Sequence, residues 1–341
     1  MGQRTIALVY GRVDSDSPPD EQDVLVQLDA VRSALQALGY DTTDVPLSLD
    51  LGVSAAVLRS VQPLAAFNLA ETIEGKGNLI HLAPSLLESL GIPYTGAPAE
   101  AIILTSHKLV GKRLLAAAGI DTPPFAAGEA ADGLAAFELP GIVKSVWEHA
   151  SVGLEDSSIV RTPAELAAEI SRRSRRESPA HLFVERYIDG REFNLALLGG
   201  AGSAEPQVLP PAEIRFVDYP RGKPRIVGYR AKWDEESFEY RSTPRRFDFP
   251  RADALLLDGM CGIARACWKL FGLRGYARVD FRVDEDGRPW VLEVNANPCI
   301  SPDAGFMAAA GQAGLSREEV VRRILADARV PKEEPIAWAA S

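Results

Sequence analysis

Cysteine is scarce in this sequence, and its spacing matches no common metal site. The three cysteines among the 341 residues are Cys261, Cys267 and Cys299. They form no CxxC pair and have no histidine at the spacing of a zinc site. A disulfide framework and a structural zinc site are therefore not indicated, and we expect a protein of the reducing cytoplasm.

Positive charge and long apolar runs are also lacking. The 47 Asp and Glu outnumber the 37 Lys and Arg, which gives a formal net charge of -10. General binding to nucleic acid or to an anionic membrane surface needs a basic footprint, so neither is expected as a partner. The apolar run at 5–10 is too short for a signal peptide or a membrane span and predicts a buried strand.

The rest of the composition is that of an ordinary soluble globular protein. Hydrophobic residues make up 46% of the chain and charged residues 25%, which is close to the usage of such proteins in general. A chain of 341 residues can bury a large core and form two or three domains.

Strands and amphipathic helices alternate along the amino-terminal part of the chain. The strand at 5–10 is followed by a helix-period stretch from Val24 to Leu38 and then by further strand and helix signals. This order predicts a three-layer α/β domain at 1–105. A new helix begins in "TSHKLVGKRLLAAAG", so we expect a central domain at 106–190 and a carboxyl-terminal domain at 191–341.

Three local patterns add detail to the later part of the chain. "TPAE" predicts a helix that opens at Thr162, with the threonine as its N-cap and a glutamate three residues on. Another helix is expected over about 251–271. The basic run "RRSRR" at 172–176 favours a solvated helix end, and an anion site is the alternative.

The stretch "YARVDFRVDEDGRPWVLEVNANP", at 276–298, predicts two strands that carry carboxylates inside apolar runs. Val279, Phe281 and Val283 alternate with Arg278, Asp280 and Arg282, and Trp290, Leu292 and Val294 alternate with Val291, Glu293 and Asn295. If the Asp-Gly pair at 286–287 is a two-residue hairpin loop, Asp280 lies opposite Glu293. Arg278 then lies opposite Asn295 on the same face.

Two acids placed opposite each other need a compensating positive charge, because like charges across a strand pair are destabilising. A divalent cation is one solution, since Asp, Glu and Asn oxygens suit Mg²⁺, which usually completes its shell with water and substrate phosphates. The alternative is an exposed sheet face on which Arg278 and Arg282 neutralise the acids. The spacing alone leaves both interpretations open.

A second candidate site surrounds Lys144 in "GIVKSVWEHASVG". A lysine inside an apolar strand can supply a charge to phosphate, and the small residues Ser151 and Gly153 let backbone N–H groups approach phosphate oxygens. Ser and Gly also mark ordinary turns, so the loop alone is weak evidence. Lys108 lies at the start of a predicted helix, where an exposed and solvated lysine is the ordinary case.

In their order along the chain, these segments resemble the ATP-grasp enzymes, and among them the D-alanine:D-alanine ligase family. The resemblance is carried by "HKLVGKRLLAAAGIDTP", "GIVKSVWEHASVG", "VERYIDGREF", "YRAKW" and the hairpin sequence, and it is fainter before residue 106. It implies an α/β chain, α+β in the ATP-binding part, with three-domain ATP-grasp architecture and ATP held between two sheets. It also implies ATP and Mg²⁺ (or Mn²⁺) as cofactors.

The resemblance assigns a role to each candidate residue. Lys108 and Lys144 would hold ATP phosphates, and the loop with Ser151 and Gly153 would close over them. The segment with Tyr187 and Ile188 would pass the adenine. The other implied roles are Glu185 for the adenine amino group, Glu192 for the ribose, Asp280, Glu293 and Asn295 for the metal, Lys232 for the transferred phosphate or a substrate carboxylate, and Arg278 for the oxyanion of the tetrahedral intermediate.

Enzymes with such a site use ATP to join a carboxylate to an amine. The carboxylate attacks the γ-phosphate, an acylphosphate forms, and a bound amine then displaces phosphate to give an amide, ADP and phosphate. Water must be kept out, so we expect a mobile lid formed by the loop at 145–153 and segments near 205–245. If Lys232 does not bind the transferred phosphate or a substrate carboxylate, its alternative interpretation is a solubilising charge at a strand edge.

The chain departs from the ligase pattern on the substrate side. In the family, a Glu, a Ser and a Tyr form a hydrogen-bonded set around the first D-alanine; Glu21 matches the first, but Ala150 and Trp233 replace the others. Cys299 replaces a glycine of the family's "NxxPG" turn, and the downstream serine falls at or near Ala304. We therefore count Glu71, Trp233, Asn297, Cys299 and Asp303 as substrate-site candidates, with Glu21 as a catalytic candidate.

The sequence therefore predicts an ATP-dependent ligase for amino acids other than a D-alanine pair. The first alternative is a D-alanine:D-alanine ligase of peptidoglycan synthesis, and the second is a nucleotide-binding protein without turnover. We expect small-molecule amino-acid substrates and a possible homodimer. Cys299 as a nucleophile is disfavoured, because no histidine neighbours it in the sequence.

Overall fold

Three β-sheets organise the chain. The computed structural model describes residues 4–127, 137–147, 151–175, 177–200 and 205–328. Each sheet is built from strands of one of the three sequence ranges expected above. The domain boundaries themselves remain a prediction.

The first sheet is parallel, with the strand order β2-β1-β3. A helix packs on either face, as the strand–helix alternation predicts. The first helix starts earlier than expected, because Pro19 fits the first helical position and two acids occupy the first turn. The elements are β1 (Thr5–Gly11), α1 (Pro19–Ala37), β2 (Asp41–Leu47), α2 (Leu51–Val61), β3 (Ala65–Asn68) and α3 (Leu82–Ser89).

The second sheet is antiparallel, in the order β4-β7-β5-β6. Thr162 caps the helix that follows β6 by accepting a hydrogen bond from the Glu165 N–H over 3.2 Å, which confirms the expected helix start. The elements are α4 (Ala99–Ser106), α5 (Lys108–Ala117), β4 (Phe125–Ala127), β5 (Gly141–Ser145), β6 (Ile159–Val160), α6 (Pro163–Arg173) and β7 (Leu182–Arg186).

The third sheet runs β11-β10-β8-β12-β13, and β9 pairs with β8. The helix expected near 251–271 forms α9, preceded by one 3-10 turn. The elements are β8 (Arg191–Leu198), β9 (Gln207–Val208), β10 (Ala212–Ile214), α7 (Tyr229–Trp233), α8 (Phe238–Arg241), β11 (Arg245–Arg246), α9 (Ala254–Leu270), β12 (Tyr276–Val283), β13 (Pro289–Asn295), α10 (Gly305–Gln312) and α11 (Arg317–Ala326).

The first and third sheets share a hydrophobic core. Ile6 and Leu8 of β1 belong to the same buried cluster as Leu198 of β8, Ile300 and Phe306 of α10. No helix within the described residues is long and apolar enough to cross a membrane.

The hairpin of β12 and β13 has the predicted partners but not the predicted turn. Asp280 lies opposite Glu293, and Arg278 lies opposite Asn295. The prediction of a two-residue loop was wrong. The loop has three residues, 285–287, because the Asp284 N–H donates a hydrogen bond to the Arg288 carbonyl. A β-bulge at Leu292 restores the register beyond the loop.

The bulge also corrects the faces assigned to β13. The alternation places Leu292 on the core face and Val291 on the polar face. In the structure Val291 is fully buried in the core, whereas Leu292 and Glu293 both line the cleft described below. One extra residue in the strand shifts the face of every residue on one side of it.

The basic run at 172–176 is not simply a solvated helix end. Arg173 is buried and its Nε donates to Glu169 Oε1 over 2.9 Å. Its Nη2 donates to the Gly153 carbonyl and, over 2.8 Å, to Ser158 Oγ. Arg173 therefore supports the loop at 151–158, and the sequence interpretation was wrong for this residue.

Candidate active site

A cleft of about 610 Å³ lies between the second and third sheets. Its lining also includes Asp23 of α1, Glu71 after β3, and Lys232 and Trp233 of α7. It gathers most of the predicted site residues: Glu71, Lys108, Lys144, Ser151, Glu185, Tyr187, Ile188, Glu192, Lys232, Trp233, Arg278, Asp280, Glu293, Asn295, Asn297, Cys299 and Asp303. The two exceptions, Glu21 and Gly153, line a neighbouring cavity of about 670 Å³.

Two lysines meet one carboxylate under the second sheet. Glu185 of β7 accepts a hydrogen bond from Lys144 Nζ over 2.5 Å and pairs with Lys112 Nζ over 2.6 Å. Glu185 and Lys112 are both almost completely buried. Burial alone would raise the pKa of Glu185, but the two ammonium groups hold it below its usual value.

Lys112 was not identified from the sequence. Its ammonium also donates to Thr122 Oγ1 over 2.9 Å, and burial lowers the pKa of this lysine. The usable signal was its spacing, since Lys112 follows Lys108 by one helical turn in "HKLVGK" and so faces the same side of α5. Lys112 therefore lies beneath the cleft, where it neutralises Glu185 from below.

The next part of the cleft contains the residues expected at the ribose and adenine. Glu192 of β8 forms an ion pair with Arg282 over 2.9 Å, and burial raises the pKa of Glu192. The Tyr187 hydroxyl accepts from the Arg225 N–H over 3.1 Å, and Ile188 lies buried nearby on the cleft wall. Their assignment to ribose and adenine stays a prediction.

The polar face of the hairpin lies inside the cleft and is not an exposed sheet surface. Asp280 is 7% exposed. Its carboxylate accepts two hydrogen bonds from Arg278, over 2.8 and 2.9 Å, one from Asn194 over 2.7 Å and one from Asn295 over 3.2 Å. Glu293 lies 3.3 Å from Lys108 Nζ. Asn194 was missed, although it is the polar residue of the apolar strand "FNLALL".

The donor set on this face fits Mg²⁺. Asn295 Nδ2 donates to Asp280 over 3.2 Å and to Glu293 over 3.4 Å, so the amide joins the two carboxylates on this face. Mg²⁺ is usually bound through one or two carboxylates together with substrate phosphates, so three carboxylates are not needed. Over the described residues, no cluster of three or more His, Cys, Asp or Glu side chains forms a competing metal site.

Lys232 brings a further cation to the cleft. It lies in α7, a short helix, so its predicted alternative as a strand-edge charge is wrong. Within the described part of the chain it has no ion pair, and burial, followed by the nearby Arg278, lowers its pKa. Trp233 follows it on the cleft wall. An ammonium in this position is suited to an anionic ligand.

The opposite end of the cleft carries acids and a thiol. Asp23 accepts hydrogen bonds from Cys299 Sγ over 3.0 Å and from Ser301 Oγ over 2.9 Å. Glu71 accepts a hydrogen bond from Gln27 over 2.5 Å. Burial raises the pKa of Glu71 to about 7; the hydrogen bond from Gln27 opposes this rise and the charge of Asp23 adds to it. Asp23 was missed, although it lies only two residues after the candidate Glu21.

Cys299 is a poor nucleophile in this setting. Burial and the neighbouring carboxylates raise the pKa of its thiol well above the usual value. Asn297 supports the same turn by accepting from the Tyr276 hydroxyl over 2.8 Å and donating to the Ala70 carbonyl over 3.1 Å. The Asp303 carbonyl accepts from Arg245 over 2.9 Å at the cleft mouth.

The loop at 151–158 lies over the cleft. Ser151 has a left-handed backbone conformation, with φ of 63°, and its Oγ donates to the Val227 carbonyl over 2.8 Å. Gly153, with φ of 69°, is held by Arg173 as described above. Ala150, which takes the place of the family's serine, lies outside the described residues.

The sequence of the central and carboxyl-terminal parts matches a known family. A family model described as "D-ala D-ala ligase C-terminus" matches residues 115–326. The chain belongs to the D-Ala-D-Ala ligase family. Membership makes it an ATP-grasp ligase that forms a C–N bond with ATP and Mg²⁺ as cofactors.

Known relatives match nearly the whole chain. The D-alanine--D-alanine ligase of Gloeobacter violaceus is 33% identical over 318 residues, covering 91% of this chain and 96% of that protein. The uncharacterized protein y4sG of Sinorhizobium fredii is 33% identical over 308 residues, covering 87% and 85%. The match to family members therefore extends into the amino-terminal part, where the motifs are faint.

Solved structures of family members share the fold. The D-alanine--D-alanine ligase of Bacillus anthracis superposes with a TM-score of 0.72 at 22% identity, covering 96% of this chain and 97% of that one. The same enzyme complexed with ATP gives a TM-score of 0.70 at 21% identity. The predicted α/β fold with ATP-grasp architecture is therefore confirmed.

Proposed function

We propose that this ATP-dependent carboxylate–amine ligase joins two molecules of D-alanine. Two relatives that carry the name D-alanine--D-alanine ligase align with more than nine-tenths of this chain. This is the first alternative from the sequence, and the relatives support it better than a different amino-acid pair. Amino-acid substrates are small molecules, so the proposal needs no macromolecular partner; a homodimer and a cytoplasmic location stay predictions.

The observation that carries the proposal is the continuity of the cleft. Lys144 and Glu293 stand at one end, and Asp23 and Cys299 stand at the other, in one space of about 610 Å³. A nucleotide and two small amino acids can therefore meet without leaving the protein. Holding the reactants side by side replaces an encounter in solution and lowers the entropic barrier.

Each end of the cleft has the charge that its step requires. Lys108, Lys144 and Lys232 surround the space where phosphate oxygens would lie, and Asp280, Glu293 and Asn295 would hold Mg²⁺, which neutralises charge on the phosphates when bound. The first amino-acid carboxylate attacks the γ-phosphorus of ATP, and ADP leaves. Lys232 lies where an ammonium can offset charge on the transferred group.

The second step forms the amide. The amine of the second amino acid attacks the carbonyl carbon of the acylphosphate, and phosphate leaves with the C–O bonding electrons. Arg278 is held in place by its two hydrogen bonds to Asp280 and can stabilise the tetrahedral oxyanion. The amine must lose a proton, and the Glu71 carboxylate at the acidic end of the cleft is available to accept it.

The test is ADP release with D-alanine as the amino acid. We expect ADP and phosphate in equal amounts, together with D-alanyl-D-alanine detected by mass spectrometry. ATP hydrolysis without dipeptide would count against the proposal, and so would no reaction at any D-alanine concentration.

A second candidate keeps the reaction and changes the amino acids. Trp233 presents an indole where the family has a tyrosine hydroxyl, and Cys299 binds Asp23 where the family has a glycine. An indole supplies contact area and a cation-π surface worth about 0.5 to 2 kcal/mol. With the acids Asp23 and Glu71 nearby, such a pocket would favour a larger cationic amino acid. A higher kcat/KM for another amino acid or pair than for D-alanine would support it.

A further inference from the structure

Helix α7, which carries Lys232, is tied at its amino end to two other parts of the chain. The Tyr229 hydroxyl donates a hydrogen bond to Asp20 Oδ1 over 2.9 Å, and Asp20 lies in the first turn of α1. The Tyr229 N–H donates to the Leu154 carbonyl over 3.2 Å. One residue thus joins the amino-terminal helix, the loop over the cleft and the helix of Lys232.

The backbone just before Tyr229 lies directly against the loop. A Cβ on Gly228 would fall 2.7 Å from the Leu154 carbonyl oxygen, which is closer than real Cβ contacts allow. Ser151 Oγ donates to the Val227 carbonyl over 2.8 Å. Three consecutive residues, 227–229, therefore lie against the loop.

The Tyr229–Asp20 bond crosses a space that packing does not fill. Both residues line the second cavity, of about 670 Å³, together with Leu154. Where a cavity separates two surfaces, van der Waals contacts cannot fix their relative position. A hydrogen bond to a carboxylate is directional and stronger than one between neutral groups, so it can do so here.

We propose that Tyr229 and Asp20 are positioning residues that hold α7 so that Lys232 faces the phosphate end of the cleft. The inference rests on the proposed function, because Lys232 matters through that reaction. The family links these three segments through its Glu, Ser and Tyr set, whereas here Trp233 has no hydroxyl. In this chain the bond joins Asp20, the residue before Glu21 on α1, to Tyr229, one helical turn before Trp233 on α7.

The test compares Tyr229→Phe, Asp20→Ala and the double variant in ADP release, with rates expressed per folded molecule. We expect each single variant to lower kcat about tenfold, the equivalent of about 1.4 kcal/mol, with the KM for ATP within about twofold of wild type. The double variant should be no slower than either single variant, because both remove the same bond.

Tyr219→Phe is the matched control. The Tyr219 hydroxyl is buried without a hydrogen-bond partner among the described residues, and its ring packs near α8 against Phe238. Removing this hydroxyl should leave kcat unchanged. If Tyr229→Phe behaves like the control, or if the effects of the two single variants multiply in the double variant, the proposal is wrong.

A second readout does not depend on turnover. Trypsin can cut after Arg225 and Arg230, which flank the tied segment, and we expect faster cleavage there in Tyr229→Phe and Asp20→Ala than in wild type or the control. If wild type makes no ADP with any amino acid, the proposed function fails. Trypsin cleavage still tests whether the Tyr229–Asp20 hydrogen bond holds α7 in place. Unchanged cleavage overturns the inference, as does faster cleavage with an unchanged kcat.

Discussion

The metal face of the β12–β13 hairpin allows a prediction for Glu293→Gln. The change keeps the size of the side chain and removes one negative charge from the carboxylate pair formed with Asp280. Loss of one preorganised electrostatic contact typically lowers kcat by about 100- to 1000-fold, or about 2.7 to 4 kcal/mol. We expect a loss in that range and a shift of the Mg²⁺ dependence to higher concentration.

The same change should hardly affect folding. Glu293 is 30% exposed, and its ion pair with Lys108, at 3.3 Å, is partly solvated. Such pairs contribute about 1 kcal/mol or less. The strand partner Asp280 keeps its hydrogen bonds from Arg278 and Asn194. The variant should therefore unfold within a few degrees of wild type.

The assay is ADP release over a range of Mg²⁺ concentrations, with thermal unfolding in parallel. Glu285→Gln is the matched control, because it makes the same chemical change in the exposed turn of the same hairpin. Glu285→Gln should match wild type. Retention of more than about a tenth of the wild-type rate by Glu293→Gln would refute the metal assignment, because the expected loss is at least about 100-fold.

Three further predictions concern Glu185, which is almost completely buried, and Glu71, which is half-buried. Lys144→Ala should weaken ATP binding measured by calorimetry, because Lys144 is the only basic residue of β5. Lys112→Met should destabilise the fold by about 1 to 3 kcal/mol, since Glu185 keeps only one lysine partner, and lower the melting temperature by about 2 to 4 °C per kcal/mol. Glu71, whose pKa burial raises from 4.5 to about 7, holds an extra proton in the folded chain between these values. Stability should therefore fall as pH rises through this window, by up to about 3 kcal/mol, and Glu71→Gln should remove that fall.

Each of these has a specific contrary result. Unchanged ATP affinity in Lys144→Ala would make the lysine a structural strand residue. Lys269→Met, at an exposed ion pair, is the control for Lys112→Met, and equal melting temperatures for the two would contradict the buried-pair argument. A wild-type stability that rises between pH 4.5 and 7, with the same slope in Glu71→Gln, would show that Glu71 titrates normally.

Site residues could be predicted where their arrangement depends only on neighbouring residues in the sequence. The polar face shared by Asp280 and Glu293 followed from the period of a strand, because side chains alternate regularly there. Their pairing came out as predicted only because the bulge offset the longer loop. Leu292 did not follow, since a bulge depends on how the turn closes. Lys112 was missed and Arg173 was misjudged for a similar reason: whether a charged residue is buried depends on a partner that is distant in sequence.

The end of the cleft with Asp23 and Cys299 was harder to predict from the sequence. Asp23 contacts Cys299 and Ser301, which are far from it in sequence, and no local sequence pattern predicts such a contact. Tyr229 and Asp20 are likewise far apart in sequence. Resemblance to a family directs attention to positions where the family has its own contacts, and a contact that has moved to neighbouring positions escapes it.

The core shared by the first and third sheets has a consequence for how substrate preference could change. Ile300 follows Cys299 at the acceptor end of the cleft and packs in one cluster with Ile6 and Leu8 of β1. A methyl group gained or lost in that strand would shift the turn that carries the thiol, because close-packed interiors transmit changes in volume. Random mutagenesis for a new amino-acid preference should therefore recover substitutions in the first strand, whose residues do not line the cleft.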